Sequence, residues 1–146
     1  MEICILVVDD DGDDLALFGE ALMIVRPDAI CSLAVDGKDA IQYLSNSGAK
    51  RPAIIFLDIN MPIMNGWDCI SALKSSSRFN DIPVVIYTTS STQADQEKAM
   101  RMGAICFISK MQDFKNLKKM LEIVVQNVEK NDIHLICPEV HKLVEM

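Results

Sequence analysis

The chain has 146 residues, 50% hydrophobic and 24% charged, with only 6 Gly and 5 Pro. This excludes a disordered or collagen-like polymer and suits one domain that buries its own core without metal or disulfide staples. The formal charge of −7 disfavours contact with a nucleic-acid backbone. The excess is local. Glu2, Asp9, Asp10, Asp11, Asp13, Asp14 and Glu20 fall in the first 20 residues with no Lys or Arg, and the rest of the chain is neutral. Such a knot of carboxylates points to a bound cation or to a carboxylate that does chemistry.

The first apolar run, residues 3–8, ends at Asp9–Asp11 and follows no basic segment, so it reads as a strand and not as a secretory leader. Leu15, Phe18, Leu22 and Val25 recur at helical spacing before Pro27. A second apolar run covers 29–35. Ala40, Ile41 and Leu44 mark a second helix over 37–46, closing at Gly48. A third run, 53–57, precedes a helix striped by Trp67, Ile70 and Leu73 that stops in Ser75–Ser77. A fourth run, 83–87, precedes a thinly apolar helix over 94–102, stopped by Gly103. The fifth run, 104–108, leads to a strong helix bearing Phe114, Leu117, Leu121, Val124, Val125 and Val128, with Lys115, Lys118 and Lys119 outward. In the tail, residues 130–146, Ile133, Leu135 and Ile136 are apolar enough to pack on something. No run approaches the ~18 residues of a membrane span.

The strand runs are continuous in their apolarity, as in strands buried on both faces. Strict alternation with helices implies an α/β fold with right-handed crossovers. The expectation is a doubly wound, five-stranded parallel sheet with five helices on both faces. Of the two doubly wound orders, the flavodoxin-like 2-1-3-4-5 is the commoner for five strands. Cys4, Cys31, Cys69, Cys106 and Cys137 are odd in number and lack C-x-x-C spacing, so they read as reduced, mostly buried thiols and not as a disulfide framework. His134, Cys137 and His141 have no fourth ligand spaced with them, and Pro138 interrupts the segment. A packed or frayed tail is therefore favoured over a metal site.

Ligands in open α/β sheets bind beyond the carboxyl ends of the strands. Those ends here carry Asp9-Asp10, Asp36-Gly37, Asp58-Ile59-Asn60, Thr88-Thr89-Ser90 and Ser109-Lys110. In the order 2-1-3-4-5, Asp9, Asp10, Asp58, Thr88 and Lys110 converge in one crevice. Clustered carboxylates repel, and a hard divalent cation such as Mg²⁺ relieves them with oxygen ligands. A carboxylate nucleophile, a cation, a lysine and a hydroxyl together suit phosphoryl transfer. Taken singly, the same residues have plainer readings: helix caps, a turn before Pro62, a charge at a helix end.

The blocks Ile5-Leu6-Val7-Val8-Asp9-Asp10-Asp11, Phe56-Leu57-Asp58-Ile59-Asn60-Met61-Pro62 with Met64-Asn65-Gly66, Val84-Val85-Ile86-Tyr87-Thr88-Thr89-Ser90, and Gly103-Ala104 with Phe107-Ile108-Ser109-Lys110 stand in order. Over residues 3–129 the chain resembles a receiver domain of a two-component response regulator, of the stand-alone, single-domain kind. The resemblance implies a receiver domain over 1–129, a tail over 130–146 and no output domain. It implies a cytoplasmic phosphorelay protein that catalyses only its own phosphorylation and dephosphorylation. Asp58 would accept the phosphoryl group from a sensor histidine kinase or a histidine phosphotransfer protein. Asp10, Asp58 and the backbone carbonyl of Asn60 would ligate Mg²⁺, with Asp9 acting through water. Lys110 would contact the phosphoryl group and Thr88 would turn toward it. Phe107 would be the switch aromatic, and Asn60 and Ser90 would tune the phosphoryl lifetime. Output would pass to a downstream protein by contact, without nucleic acid or membrane. A homodimer could form through the fourth helix, fifth strand and fifth helix.

One position departs from the family pattern. Met111 stands where the family usually has Pro after the lysine. A cis bond there would cost ~2.5–4 kcal/mol before a non-proline residue, so a trans bond and an altered loop are expected. Two alternatives remain: a receiver-fold scaffold that works without phosphorylation, and a small Asp-based, Mg-dependent phosphatase. The second expects an acid where Asn60 stands.

Overall fold

The computed structural model describes residues 2–46 and 48–144. Five parallel strands, β1 (Cys4–Val8), β2 (Ile30–Ala34), β3 (Ile54–Leu57), β4 (Val84–Thr88) and β5 (Cys106–Ser109), lie in the order β2-β1-β3-β4-β5. The expected sheet order is the one found. The register matters for the site. Val8 pairs with Ala34 and with Leu57, Leu57 with Ile86, and Thr88 with Ser109. The strand ends are thus level, and the ladder runs on into the polar residues: Asp9 N–H donates to the Ala34 carbonyl (3.0 Å), Asp58 N–H to Val8 (3.0 Å) and Lys110 N–H to Thr88 (2.7 Å).

The helices are α1 (Gly12–Val25), α2 (Gly37–Ser45), α3 (Gly66–Ser75), α4 (Gln93–Arg101), α5 (Phe114–Glu129) and α6 (Ile136–Val144). Asp11, Asp36, Asn65, Thr92 and Asp113 cap the first five, each accepting from backbone N–H groups of the first turn. One apolar layer joins α1, α5 and α6 to one face of the sheet, and the other joins α2, α3 and α4 to the opposite face. The first layer contains an edge-to-face aromatic cluster, with Phe18–Phe56, Phe56–Tyr87 and Phe18–Tyr87 centroids 5.0, 5.8 and 6.1 Å apart. In the second, α4 is lightly anchored, with Ala99 its one buried residue. Lys98 of α4 also lies over the Trp67 ring at the start of α3, 4.6 Å from its centroid.

Three expectations need correction. First, the described residues form six α-helices and not five, because the tail folds. A 3-10 turn (Ile133–Leu135) runs into α6, whose Ile136 and Val140 are fully buried on α5 and β5. Pro138 does not interrupt the segment, because it sits in the first helical turn, where a missing N–H leaves no bond unmade. Residues 145 and 146 of the tail lie outside the described residues. Second, the fold-back joins Cys106 to Cys137 in a disulfide, with Cα atoms 5.3 Å apart, which leaves Cys4, Cys31 and Cys69 as the free thiols among the described residues. Third, β2 is an edge strand and is only partly buried, with Leu33 49% exposed. Among the described residues no helix is long and apolar enough to cross a membrane.

Candidate functional site

Asp9 directly follows β1 and Asp58 directly follows β3, and both are buried (3% and 6% exposed). Asp10 is exposed beside them, and carboxylate oxygens of the three lie within 4.8 Å of one another. Lys110 follows β5 and brings its ammonium into the same space. Its Nζ stands 2.7 Å from Asp9 Oδ2, 2.7 Å from Asp14 Oδ2 and 3.1 Å from Asp58 Oδ2. The Asp11 N–H donates to Asp9 Oδ1 (3.0 Å) and the Asn60 N–H to Asp58 Oδ1 (3.2 Å), which orients both carboxylates.

The electrostatics follow from this crowding. Burial, reinforced by the charge on Asp58, holds the Asp9 carboxyl above the usual carboxylate range despite its bonds to Lys110 and to the Asp11 N–H. Burial works against the Lys110 ammonium, but its hydrogen bonds to Asp14 and Asp9 and the charge of Asp58 prevail and hold it well above an ordinary lysine. Lys110 is therefore cationic throughout the physiological range. One ammonium facing several carboxylates leaves a net negative cluster of hard oxygen donors. That donor set suits Mg²⁺ or Mn²⁺ and not a soft metal.

Thr88 is fully buried at the end of β4, and its hydroxyl has no hydrogen-bond partner among the described residues. An unpaired buried hydroxyl is costly, and here it sits on the strand between Asp58 and Lys110. Ser90 faces elsewhere: its hydroxyl donates to Asp95 of α4 (2.6 Å), and its carbonyl accepts from Ser109 (3.1 Å). Asn60 is exposed. The Phe107 ring is buried in the layer that also holds Ala99 of α4.

The loop after Lys110 contains no cis bond. Met111 supplies an N–H that a proline lacks, and it donates to the Tyr87 hydroxyl (3.1 Å). The peptide after the lysine is thereby tied to β4, and Lys110 reaches the carboxylates. Asp14 and Tyr87 are site residues that strand-end reasoning missed. Asp14 was detectable as the acid one helical turn beyond Asp10, and Tyr87 as the one hydroxyl among the apolar residues preceding Thr88.

The β3–α3 connection closes the far side. Gly66 N–H donates to the Ile59 carbonyl (3.1 Å), and a Cβ at Gly66 would overlap the Asp58 carbonyl oxygen. Gly37 N–H donates to Met64 O (3.1 Å). Ile63 between them has φ 66° and is 82% exposed, a left-handed conformation rare for a β-branched residue.

A level parallel sheet with a carboxylate–lysine cluster at the carboxyl ends of β1, β3 and β5 defines the class of flavodoxin-like receiver folds. Residues 5–122 match the response regulator receiver domain family, and the chain belongs to it. It is 30% identical over 122 residues to the response regulator Rcp1 of Synechocystis sp., covering 81% of this chain and 83% of that protein. It is 35% identical over 106 residues to the transcriptional regulatory protein PrrA of Mycobacterium leprae, covering 73% of this chain but 42% of that longer protein. Among solved structures, the phosphorylated cyanobacterial phytochrome response regulator RcpA superposes with a TM-score of 0.81 at 26% identity, covering 90% of this chain and 96% of that one. The Mn²⁺-bound form of Rcp1 gives 0.73 at 29% identity, covering 84% and 91%. Receiver domains of two-component systems are phospho-acceptor switches.

Proposed function

We propose that this protein takes a phosphoryl group onto Asp58 from a phosphohistidine of a sensor histidine kinase or a histidine phosphotransfer protein. The observation that carries this reading is the Lys110 ammonium 3.1 Å from Asp58 Oδ2, held there by Asp9 and Asp14. An Asp58 oxygen attacks phosphorus in line, the phosphorus–nitrogen bond of the donor breaks, and an acyl phosphate forms. Lys110 then exchanges carboxylate contacts for a phosphoryl oxygen. Thr88 offers its unpaired hydroxyl to another, so a group that is unsatisfied at rest becomes satisfied on transfer. Asp10, Asp58 and the Asn60 carbonyl, with Asp9 through water, would hold a magnesium ion, which would supply positive charge for the remaining oxygens.

Movement of Thr88 toward the phosphoryl group couples to Phe107 on the adjacent strand and to the lightly anchored α4. Asn60 and Ser90 flank the acceptor and the threonine and set the lifetime of the acyl phosphate, Ser90 through its hold on Asp95. We read residues 1–129 as the receiver unit and 130–146 as its tail, whose described part packs on β5 and α5. Signal leaves by protein contact on that face, to a downstream protein or a second copy, in the cytoplasm and without nucleic acid. Because α6 covers part of β5 and α5, it forms part of what a partner meets.

The test is phosphorylation by a small acyl phosphate with magnesium, followed by intact mass. One phosphoryl adduct is expected on the wild type, and none on Asp58→Asn or after chelation of the metal. A wild type that takes no adduct would leave the phosphorylation-independent scaffold as the function.

A further inference from the structure

We propose that Cys106 and Cys137 form a reversible thiol–disulfide exchange site, in which His141 handles the proton and whose closure fastens α6 to the edge strand β5. The two cysteines are 31 residues apart in sequence, and the folded tail brings them into bonding contact. Cys106 is fully buried, whereas Cys137 in the first turn of α6 is half-buried. An incoming sulfur therefore meets Cys137.

His141 lies one helical turn beyond Cys137. Its Nδ1 is 3.9 Å from Cys137 Sγ, and its Nε2 is 3.2 Å from the Phe107 carbonyl oxygen. A carbonyl only accepts, so Nε2 carries the hydrogen and Nδ1 turns its lone pair to the sulfur. The imidazole and both sulfurs lie within 4.8 Å of one another, so one ring serves either sulfur. The free thiols lack this environment. Burial pushes Cys31 up to about 11 and Cys69 up to about 12, which leaves both as poor nucleophiles near neutrality.

The co-reactant is a small-molecule disulfide such as oxidised glutathione. From the reduced protein, His141 Nδ1 takes the Cys137 proton and the thiolate attacks one sulfur of the small disulfide. That bond breaks, one small thiol leaves with the proton, and a mixed disulfide stands on Cys137. Cys106 sulfur then attacks Cys137 sulfur, and a second small thiol leaves with the Cys106 proton. Two protein thiols are oxidised by two electrons and one small disulfide is reduced to two thiols. In reverse, a small thiol gives its proton to His141 Nδ1 and attacks Cys137 sulfur, and Cys106 leaves as a thiolate that takes that proton. A second small thiol then attacks the mixed disulfide, releasing the small disulfide and leaving its proton on Cys137. None of these steps uses Asp58, so the site stands independently of phosphoryl transfer.

The test equilibrates the full-length native protein in mixtures of reduced and oxidised glutathione. It is followed by acid quench, unfolding, alkylation and peptide mapping. Thiols 106 and 137 should disappear together, while 4, 31 and 69 stay alkylable at every mixture. Amides of 136–144 should exchange with deuterium about tenfold faster in the reduced protein. His141→Gln should close about tenfold more slowly at neutral pH, with the closed bond unchanged in position. Thiols 106 and 137 that persist in the oxidised buffer would overturn the proposal. So would a lasting mixed disulfide on Cys137, or a reduced protein that binds one Zn²⁺ and keeps both thiols against oxidation. Wild-type closure kinetics in His141→Gln would remove the histidine from it.

Discussion

Lys110 faces Asp9, Asp14 and Asp58 at once, and the Thr88 hydroxyl beside them has no partner among the described residues. The cluster is therefore built at some cost to the resting protein. Thr88→Val keeps the shape and removes the unpaired oxygen, so urea unfolding should show a gain of about 1 kcal/mol, while the acyl phosphate loses a hydroxyl partner. Tyr87→Phe removes the acceptor for the Met111 N–H and should cost about 1 kcal/mol, with slower phosphorylation because the loop bearing Lys110 loosens. Burial, then the charge of Asp36, pushes Cys69 up to about 12 from the ordinary 9.0. The unfolded chain releases that proton first and binds fewer protons above pH 9, so stability falls as pH rises from about 9 toward 12. Cys69→Ala should flatten that alkaline slope in denaturant titrations at stepped pH. Asp9, Asp58 and Lys110 were legible in the sequence because each directly follows an apolar strand. Asp14 and Tyr87 were legible only as an acid one turn beyond Asp10 and a hydroxyl in an apolar run. Their bonds to Lys110 and to the Met111 N–H depend on how α1 and β4 are phased against a loop remote in sequence.

At the scale of elements, the β3–α3 connection carries the tightest constraints. A methyl group at Gly66 meets the Asp58 and Ile59 backbone, and backbone cannot swing aside as a flexible side chain does. Gly66→Ala should destabilise by about 2 kcal/mol and displace Asp58, lowering both melting temperature and phosphorylation rate. Ile63 shows the opposite case. Asn tolerates a positive φ far better, so Ile63→Asn should stabilise by about 1 kcal/mol in urea unfolding. Strand and helix order could be read from apolar runs and their spacing, and the N-caps lie at Asp, Asn or Thr residues as capping physics requires. Helix α6 was hidden for a physical reason. Pro138 reads as a breaker unless the helix start is known to lie two residues before it, and the start is set by packing of Ile136 on α5 and β5. The Cys106–Cys137 bond was hidden with it.

For the whole molecule, the acidic excess in the first 20 residues and the tail at the other end act on stability in opposite senses. Asp10 makes no ion pair among the described residues and adds repulsion to Asp9 and Asp58. Asp10→Asn should raise the melting temperature of the metal-free protein and abolish the rise expected of the wild type on adding magnesium, both read by thermal scanning. The disulfide closes a loop across α5 and constrains the unfolded chain, a contribution of about 3–4 kcal/mol for a loop of this length. Ile136→Ala, which empties a fully buried position under α6, should cost about 2–4 kcal/mol.

The chain has a single tryptophan, and Lys98 of α4 rests on its ring. Trp67 sits at the head of α3, next to the glycine that touches Asp58. A rearrangement of α4 lifts an ammonium from that indole and changes its emission. The protein thus carries an intrinsic optical reporter that joins the loop after Asp58 to the lightly anchored α4. Stopped-flow fluorescence can time the switch without a label, and Lys98→Met should mute the signal while leaving phosphoryl uptake intact.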